Sequence, residues 1–448
     1  MKLLLTHAYF LHEDPKEQQI MKPYPPLGIL YLSSHLRAKG FDVEIYDSTF
    51  GSRAELVGVL NAGPPGVLGI YGNLMTRANV LSIIAAARDA GWRVIAGGPE
   101  PANYADEYLS AGADLIVTGE GEIALEQLMA SAFDPAHWSA IDGIIFRDSN
   151  KQLIRTAATR LIPNLDAQPW PDRENIDIPR YMRTWREHHG QASISIITAR
   201  GCPYHCNWCS HSVYGHTHRR RSPASVAEEV EFLIARYAPD MLWIADDVFT
   251  IHPGWLFAYA AEMKRRNIRI PFECITRADR VNETIAATLR ELNCARVWIG
   301  SESGSQRILD AMQRGVTVEQ VRQAVALCKQ NGIQTGMFLM WGYEGEELAD
   351  VEATVEHVRA CNPDIFFTTV SYPIKGTPYY AKVADRLVNL GPWDKTTDRQ
   401  IQIRGRHSRR FYEHADNLLR SEMSAQPDAQ AILAAREGLR ATNIEVEA

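Results

Sequence analysis

The chain has 448 residues, of which 46% are hydrophobic and 23% charged, and its formal net charge is −7 at pH 7. This composition indicates a globular protein of two or three domains and excludes a disordered chain. The acidic balance argues against nucleic acid as the main partner, and no apolar stretch reaches the ~18 residues that a membrane span needs. Seven cysteines, an odd number, argue against a disulfide scaffold and favour a reducing, cytoplasmic compartment.

Apolar, strand-like runs alternate with helical patterns from residue 1 to residue 135. The alternation predicts a doubly wound, Rossmann-like parallel sheet with helices on both faces, whose ligands bind beyond the carboxyl ends of the strands. Strands are predicted at Lys2–Thr6, Asp42–Tyr46, Gly66–Ile70, Arg93–Ala96 and Asp114–Val117, and helices at Gly28–Lys39, Arg53–Leu60, Arg77–Ala90, Asn103–Ala111 and Ile123–Ala132.

Glycine-rich loops follow three of these strands, at Gly69–Thr76, Gly97–Pro101 and Gly119–Glu122. Glycine lets the backbone approach a flat ligand closely. No G-x-G-x-x-G motif follows the first strand, so a dinucleotide is not favoured. Taken alone, such loops are ordinary turns of α/β proteins.

Residues 136–190 show a weaker pattern and are interpreted as a linker without chemistry. A hairpin is predicted over residues 143–154, with Ser149 and Asn150 at its turn. The proline-rich stretch Ile162–Pro171 that follows is predicted to be non-helical.

Three cysteines, Cys202, Cys206 and Cys209, follow the predicted strand Ser193–Thr198 at the spacing C-x3-C-x2-C. In α/β barrels the chemistry is carried by the loops at the carboxyl ends of the strands. Three thiolates can ligate three of the four irons of a 4Fe–4S cluster, which leaves the fourth iron without a protein ligand. A zinc site is the alternative, because four histidines lie close by in the sequence, at His205, His211, His216 and His218.

Strand–helix units continue from residue 191 to residue 390, about six in number, too few for a closed eight-unit barrel. A partial (β/α)6 barrel is therefore predicted. Its strands are expected near Ser193–Thr198, Met241–Ala245, Phe272–Thr276, Arg296–Gly300, Thr335–Trp341 and Ile365–Ser371, and its helices near Pro223–Tyr237, Gly254–Asn267, Asn282–Asn293, Val318–Asn331 and Glu346–Ala360.

The cysteine loop, with the aromatic Trp208 just before its last cysteine, resembles the signature of the radical SAM superfamily. The resemblance implies that Cys202, Cys206 and Cys209 ligate a 4Fe–4S cluster whose open iron binds S-adenosylmethionine (SAM). Later loops, above all Gly300-Ser-Glu-Ser-Gly-Ser305, match the family in order and spacing. The SAM contacts implied are Trp208, Asp246 or Asp247 for the amino group, Arg277 for the carboxylate, Glu302 with Ser303 for the ribose, and Gly342 on the adenine side.

Two of these assignments have structural alternatives. The pair Asp246 and Asp247 is equally typical of a helix N-cap, and Arg277 could form a structural ion pair. The loop from Gly342 to Glu346 has Glu344 where the family usually has proline, so its local path is expected to differ.

The N-terminal half also resembles one branch of that superfamily. Pro25-Pro-Leu-Gly28, Gly97-Gly-Pro99 and Gly119-Glu-Gly-Glu122 are similar to the cobalamin-binding domain of cobalamin-dependent radical SAM enzymes, which include methyltransferases and an anaerobic oxidative cyclase. The family lacks the D-x-H-x-x-G motif of other cobalamin proteins, as this chain does, so no histidine ligand to cobalt is expected. The implied cobalamin contacts are Asn73, Leu74, Met75, Thr76, Gly97, Gly98, Pro99, Gly119, Glu120, Gly121 and Glu122.

The resemblance implies cleavage of SAM to a 5′-deoxyadenosyl radical and, most simply, methylation of an unactivated carbon through methylcobalamin. The alternative is a radical cyclase or rearranging enzyme in which cobalamin transfers no methyl group. A non-catalytic, zinc-dependent binding protein is a third interpretation, which leaves the loop around Glu302 unexplained. The expected partners are a small-molecule, lipid, tetrapyrrole or peptide substrate and an electron donor of the flavodoxin or ferredoxin type.

Residues 391–448 carry no motif and are predicted to form a mostly helical cap, with helices near Phe411–Met423 and Ala429–Thr442. A functional interpretation is a lid whose arginines meet an acidic group of the substrate, and the candidates are Arg404, Arg406, Arg409 and Arg410. A solvated cap on the barrel is favoured, because runs of charge usually face water.

Overall fold

The computed structural model describes residues 1–447. An N-terminal sheet of seven strands follows the predicted pattern closely, with bounds within two residues of those expected. Five strands run parallel to one another, and the last two are antiparallel. The strands are β1 (Leu3–His7), β2 (Val43–Tyr46), β3 (Val67–Tyr71), β4 (Arg93–Gly97), β5 (Leu115–Val117), β6 (Ile144–Arg147) and β7 (Leu153–Arg155), in the spatial order β2-β1-β3-β4-β5-β6-β7.

Helices cover both faces of this sheet, which confirms the doubly wound, Rossmann-like arrangement. One apolar layer is built around Val80, Ile84 and Tyr108, and the other around Leu36 and Leu128. The helices are α1 (Pro15–Ile20), α2 (Leu27–Ala38), α3 (Arg53–Asn61), α4 (Arg77–Asp89), α5 (Ala105–Ser110) and α6 (Glu122–Ala130).

The hairpin β6–β7 forms as predicted, but it belongs to this sheet and not to a linker. Leu115 of β5 is paired with Phe146 of β6, and Ile144 and Ile145 are buried with it. Because the hairpin adds apolar side chains to the core of the first domain, part of the range 136–190 has a structural role there. The domain limits themselves stay a prediction.

A helix that sequence analysis did not predict, α7 (Ile178–His189), also lies in that range. The Asp177 side chain accepts a hydrogen bond from the Arg180 amide at its start, and Gly190 ends it in the left-handed conformation. Trp185 and Met182 of α7 are buried in the core of the second domain. The connector therefore packs on the barrel that it precedes.

The second domain is an open sheet of six parallel strands, and the gap lies between its first and last strands. This arrangement confirms the partial (β/α)6 barrel. After β8 (Ser193–Ile196), the short strands β9 (Ala199–Arg200) and β10 (Arg219–Arg220) pair with each other, and the barrel continues with β11 (Met241–Ile244), β12 (Phe272–Thr276), β13 (Cys294–Glu302), β14 (Gln334–Trp341) and β15 (Ile365–Val370). Its helices are α8 (Pro223–Tyr237), α9 (Pro253–Arg265), α10 (Glu283–Glu291), α11 (Gln306–Ala311), α12 (Val318–Gln330) and α13 (Leu348–Cys361).

The C-terminal region is helical, as predicted, and consists of α14 (Pro378–Val383), a two-stranded ribbon of β16 (Leu387–Val388) and β17 (Gln402–Ile403), α15 (Arg409–Glu422) and α16 (Ala429–Thr442). Phe411 and Leu418 of α15 are buried in the barrel core. Arg409 and Arg410 are exposed, whereas Arg406 is buried and paired with Glu447. Within residues 1–447, no helix has both the length and the apolar character needed to cross a bilayer.

Candidate active site

The cysteine loop leaves the barrel between β9 and β10, whose pairing closes its stem. Gly201, with φ +86°, is required there, because a Cβ atom would lie 2.4 Å from the Thr217 carbonyl oxygen. All three cysteines of the loop are free thiols; Cys206 is buried and Cys209 is exposed. The loop therefore presents three unpaired sulfur ligands at the carboxyl end of the barrel strands.

Burial disfavours the thiolate form of these cysteines, whereas cations beside Cys206 favour it. Desolvation raises the pKa of Cys202 and raises that of Cys209 to about 12. The guanidinium groups of Arg314 and Arg277 lie 3.6 and 3.9 Å from the Cys206 sulfur. Because buried cations offset the charge of thiolates, the donor set fits an iron–sulfur cluster.

The histidines near the cysteine loop pack on one another. The centroid of the His216 ring lies 4.2 Å from that of His205 and 4.0 Å from that of His211, with interplanar angles of 25° and 38°. Within residues 1–447, no group of three or more His, Cys, Asp or Glu side chains is arranged to hold a metal ion.

The two adjacent aspartates after β11, Asp246 and Asp247, have different surroundings. Asp246 is buried, accepts hydrogen bonds from the amides of Thr198 and Ala199, and pairs with Arg220 at 2.7 Å. Its carboxylate therefore holds the stem of the cysteine loop, and its assignment to SAM stays a prediction. Asp247 is exposed, and its charge contributes to the raised pKa of Cys202 and Cys209. Asp247 is thus the aspartate that is free to bind a ligand beside the cysteines.

The contrast between the two aspartates gives a prediction. Asp247→Asn should weaken SAM binding by about tenfold or more, because a charge-assisted hydrogen bond contributes roughly 1.5–3 kcal/mol, with little change in thermal stability. Asp246→Asn should lower the melting temperature, because it leaves Arg220 buried without its charge partner. Equilibrium dialysis with SAM and thermal unfolding of both reconstituted variants check this. Equal SAM affinity in Asp247→Asn and wild type would contradict it.

The guanidinium of Arg277 makes several contacts within the protein. Its Nε donates to Asp279 at 2.9 Å, its Nη2 donates to the Arg314 carbonyl at 2.9 Å, and the guanidinium lies 3.6 Å from the centroid of the Tyr204 ring. The structural ion pair is therefore formed in this structure, and the assignment of Arg277 to the SAM carboxylate stays a prediction. Desolvated on all sides, Arg277 holds the loop that contains Arg314.

Glu302 and Ser303, the two candidates for contact with the SAM ribose, have different surroundings. The Ser303 hydroxyl is buried, lies 3.2 Å from the Thr354 hydroxyl of α13, and accepts a hydrogen bond from the Ser305 amide. Its assignment to the ribose stays a prediction. Glu302 sits at a register shift of the strand with φ +63°. Burial raises the pKa of its carboxyl, while Arg314 and Arg277 lower it. A carboxylate held in this sparsely populated conformation is typical of a functional position.

The assignments of Gly342 and Trp208 to SAM stay predictions. Both residues also make contacts that support the fold. The Gly342 amide donates to Glu346 Oε2 at 2.6 Å, and a Cβ atom there would lie 2.8 Å from the Tyr412 ring. Burial raises the pKa of Glu346 to about 8. Trp208 is half-buried and packs against the apolar cluster that contains Met312. These contacts close the side of the site formed by β14 and α15.

A second site lies in the first domain, where a glycine-lined cavity of ≈ 380 Å³ opens at the carboxyl ends of the strands. Its walls are apolar side chains and glycine backbone, which suits a flat, largely apolar group. Cobalamin is larger than this cavity, so only part of the cobalamin molecule would fit inside it. Six of the predicted cobalamin contacts line the cavity, namely Gly97, Gly98, Gly119, Glu120, Gly121 and Glu122, together with residues not predicted, among them Tyr71, Arg200, Val213 and Tyr214.

The cavity can be blocked without disturbing the fold. Gly28, in the first turn of α2, lines it, and a Cβ atom there would meet no atom within 4 Å. Gly28→Leu should therefore fill the cavity and reduce cobalamin binding by about tenfold or more, at no cost in helix propensity. Gly58→Leu is the control, because Gly58 of α3 also has free space and lies outside the cavity. Cobalamin retained after anaerobic gel filtration measures both, and equal retention would contradict the assignment.

Glu120 lines the cavity, and its carboxylate binds two arginines of the other domain. It accepts from Arg200 at 3.1 Å, from Arg219 at 2.8 Å and from the Ile162 amide at 2.8 Å, and Glu122 binds Arg200 at 2.7 Å. The carboxylate of Glu120 thus has protein partners, and its assignment to cobalamin stays a prediction. Because Arg200 lies two residues before Cys202, the ion pairs connect the cysteine loop directly to the glycine loop after β5.

The remaining predicted contacts, the loop Asn73–Thr76 and Pro99, do not line the glycine-lined cavity. The Asn73 side chain accepts hydrogen bonds from the amides of Met75 and Thr76, which fixes the loop as a turn. Met75 is 52% exposed, so this turn presents an apolar side chain at the strand ends. Its role toward cobalamin stays a prediction.

A cysteine-side cavity of ≈ 400 Å³ lies between the two domains. Asn103 of the first domain forms one wall, and Gly376 and Pro378 of the barrel form another. Cys206 and Cys209 line it together with the three stacked histidines. A molecule in this cavity would touch the cysteine loop and residues of both domains.

Comparison with known proteins identifies the two halves. The family model of the radical SAM superfamily matches residues 196–358, and that of the B12 binding domain matches residues 19–129. The chain contains a radical SAM domain and a B12-binding domain. The matches confirm the predicted enzyme class and cofactors, because a radical SAM domain uses a 4Fe–4S cluster with SAM and the first domain binds cobalamin.

Relatives and solved structures match this chain over most of its length. An uncharacterized methyltransferase of Pyrococcus horikoshii is 27% identical, with 83% of this chain and 82% of the relative covered. The anaerobic magnesium-protoporphyrin IX monomethyl ester cyclase of Synechocystis is 26% identical, with 84% and 75% covered. The structure of the radical SAM methyltransferase TsrM from Kitasatospora setae, with cobalamin and a [4Fe–4S] cluster bound, superimposes with a TM-score of 0.72 at 20% identity, with 87% and 78% covered. It shows the same fold.

Proposed function

We propose that the protein methylates an unactivated carbon of a substrate bound between its two domains. The observation that carries the proposal is that both cofactor sites share one segment. The cysteine loop supplies Cys206 and Cys209 to the cysteine-side cavity, and Arg200, Val213 and Tyr214 of the same segment wall the glycine-lined cavity. A substrate in the gap would therefore reach a radical source and a methyl carrier together.

The residues of this chain have separable tasks in such a reaction. Cys202, Cys206 and Cys209 would hold the cluster, Asp247 would bind the amino group of SAM, and Glu302 would accept hydrogen bonds from its ribose. When bound, the cluster supplies the electron that cleaves SAM, and cobalamin supplies the methyl group. Arg200 holds the two loops together through Glu120 and Glu122, so the distance between the sites is kept by buried ion pairs.

The relatives named as methyltransferases support methyl transfer. The cyclase relatives support the second candidate, a radical cyclisation or rearrangement without methyl transfer, because they match an equally large share of the chain. The substrate class, whether a small molecule, lipid, tetrapyrrole or peptide, is part of this proposal. So are an electron donor of the flavodoxin or ferredoxin type and a cytoplasmic location.

An anaerobic assay tests the function. The protein is reconstituted with iron, sulfide and hydroxocobalamin and is given dithionite and SAM labelled in its methyl group. Formation of 5′-deoxyadenosine, with S-adenosylhomocysteine and label recovered on cobalamin, supports the methyltransferase. Formation of 5′-deoxyadenosine without transfer of label favours the cyclase or rearrangement. If neither 5′-deoxyadenosine nor labelled cobalamin forms, radical SAM catalysis by this chain is refuted.

A further inference from the structure

Arg314 is a buried arginine that none of the steps above uses. It follows α11, and its side chain is 8% exposed. Its Nη1 lies 3.6 Å from the Cys206 sulfur, its Nη2 donates to the Gly300 carbonyl at 2.9 Å, and its Nε lies 3.8 Å from Glu302 Oε1. The Nε has no hydrogen-bond partner. One guanidinium therefore faces both the predicted cluster ligand and the predicted ribose carboxylate.

Hydrogen bonds from Arg277 and from the cysteine loop fix the position of the segment that contains Arg314. Its carbonyl oxygen accepts the hydrogen bond from Arg277, and the amide of Asn207 in the cysteine loop donates to the Met312 carbonyl at 3.1 Å. The Asn207 side chain also donates to the Ala311 carbonyl. Because the cysteine loop and residues 311–315 are bonded to each other, Arg314 cannot withdraw from Cys206 without breaking these contacts.

A buried cation is costly unless a negative charge faces it. Arg314 has Glu302 at the distance of a weak ion pair, and the sulfur of Cys206 is its only other ionisable neighbour within 4 Å among the ion pairs and hydrogen bonds of residues 1–447. Net charge and hydrogen bonds to sulfur set the reduction potential of iron–sulfur clusters. A positive group beside a cluster ligand favours the state that has gained an electron.

We infer that Arg314 is a positioning residue that raises the reduction potential of the cluster at Cys206 and holds Glu302 in place for SAM. The inference rests on the proposed function and adds a residue to it. The charge of the guanidinium acts on the cluster, and its hydrogen bond to Gly300 supports the strained backbone at Glu302. The two effects require different properties of the side chain, so different substitutions separate them.

The test is a potentiometric titration of the reconstituted holoprotein, with the reduced cluster detected by electron paramagnetic resonance and no SAM present. In Arg314→Met, the ratio of reduced to oxidised cluster at a fixed potential should fall at least about tenfold, a shift of ~59 mV to more negative values for a one-electron couple. Arg314→Lys keeps the charge and should shift less than half as far. Both variants should bind SAM about tenfold more weakly by equilibrium dialysis, because neither reproduces the fork on Gly300 and Glu302.

The control is Arg296→Met, which removes a part-buried arginine that binds Glu273 and Gln334 at the far end of β13. An unchanged potential in Arg314→Met, or an equal shift in Arg296→Met, overturns the inference. If Arg314→Met does not load iron, a loaded Arg314→Lys with a nearly wild-type potential supports it, whereas failure of both to load shows a purely structural role and overturns it. Wild-type protein that forms no cluster would instead refute the proposed function.

Discussion

Replacing Cys206 by alanine is expected to abolish the iron–sulfur cluster and with it all formation of 5′-deoxyadenosine. Cys206 is the buried cysteine of the loop and the one that two guanidinium groups face. Changes in the residues that merely support a metal ligand typically cost 10–100-fold in affinity or activity, so loss of a ligand should cost more than about 100-fold. Iron and sulfide content, the electron paramagnetic resonance signal and 5′-deoxyadenosine per hour measure the effect.

Cys328→Ala is the matched control, because Cys328 is a buried, free thiol in the barrel core on α12. It should lose only the packing of one sulfur atom and keep its cluster. A Cys206→Ala protein that retains the cluster signal of the Cys328→Ala protein would contradict the ligand assignment and, with it, the open iron on which SAM binding depends. The same pair of variants would show whether cobalamin binds independently of the cluster.

Strands such as β1, β3 and β5 could be predicted from sequence because they are buried on both faces and appear as continuous apolar runs. The helix α7 was missed although Asp177 and Gly190 mark its two ends. The hairpin β6–β7 was recognised but not its pairing with β5, because a turn signal does not say which sheet a hairpin joins. The error at the hairpin concerns tertiary placement, whereas the missed helix is an error of local structure.

The candidate site shows the same division. The spacing of the three cysteines is local information, and so is the loop around Glu302. Which of Asp246 and Asp247 faces the ligand depends on Arg220, which approaches from another segment. The roles of Glu120, Arg200 and Arg314 depend on partners 80 or more residues away, such as Cys206 for Arg314. No pattern in one sequence shows these pairs, since charged residues usually lie on the surface.

A similar long-range pair connects the C-terminal region to the cobalamin-binding domain. Arg77, at the start of α4, is 2% exposed and lies between the rings of Tyr104 and Trp393. Its guanidinium binds Glu100, donates to Asp398 at 2.8 Å and donates to the Thr396 carbonyl at 2.7 Å. The segment from Trp393 to Asp398 is thereby fastened across the first domain, on the path between the barrel and the helices α15 and α16.

Arg77→Met should consequently lower the free energy of unfolding by about 3–5 kcal/mol, because it leaves two carboxylates buried without a cation. The segment around Trp393 should become accessible to protease in the native protein. Arg88→Met, on the same helix, removes an exposed ion pair with Asp114 and should cost no more than about 1 kcal/mol. Adding Asp398→Asn to Arg77→Met should restore part of the loss, since one unpaired charge is removed. Urea unfolding midpoints and limited proteolysis compare the variants, and equal midpoints for Arg77→Met and Arg88→Met would show that the buried arginine does not hold the segment.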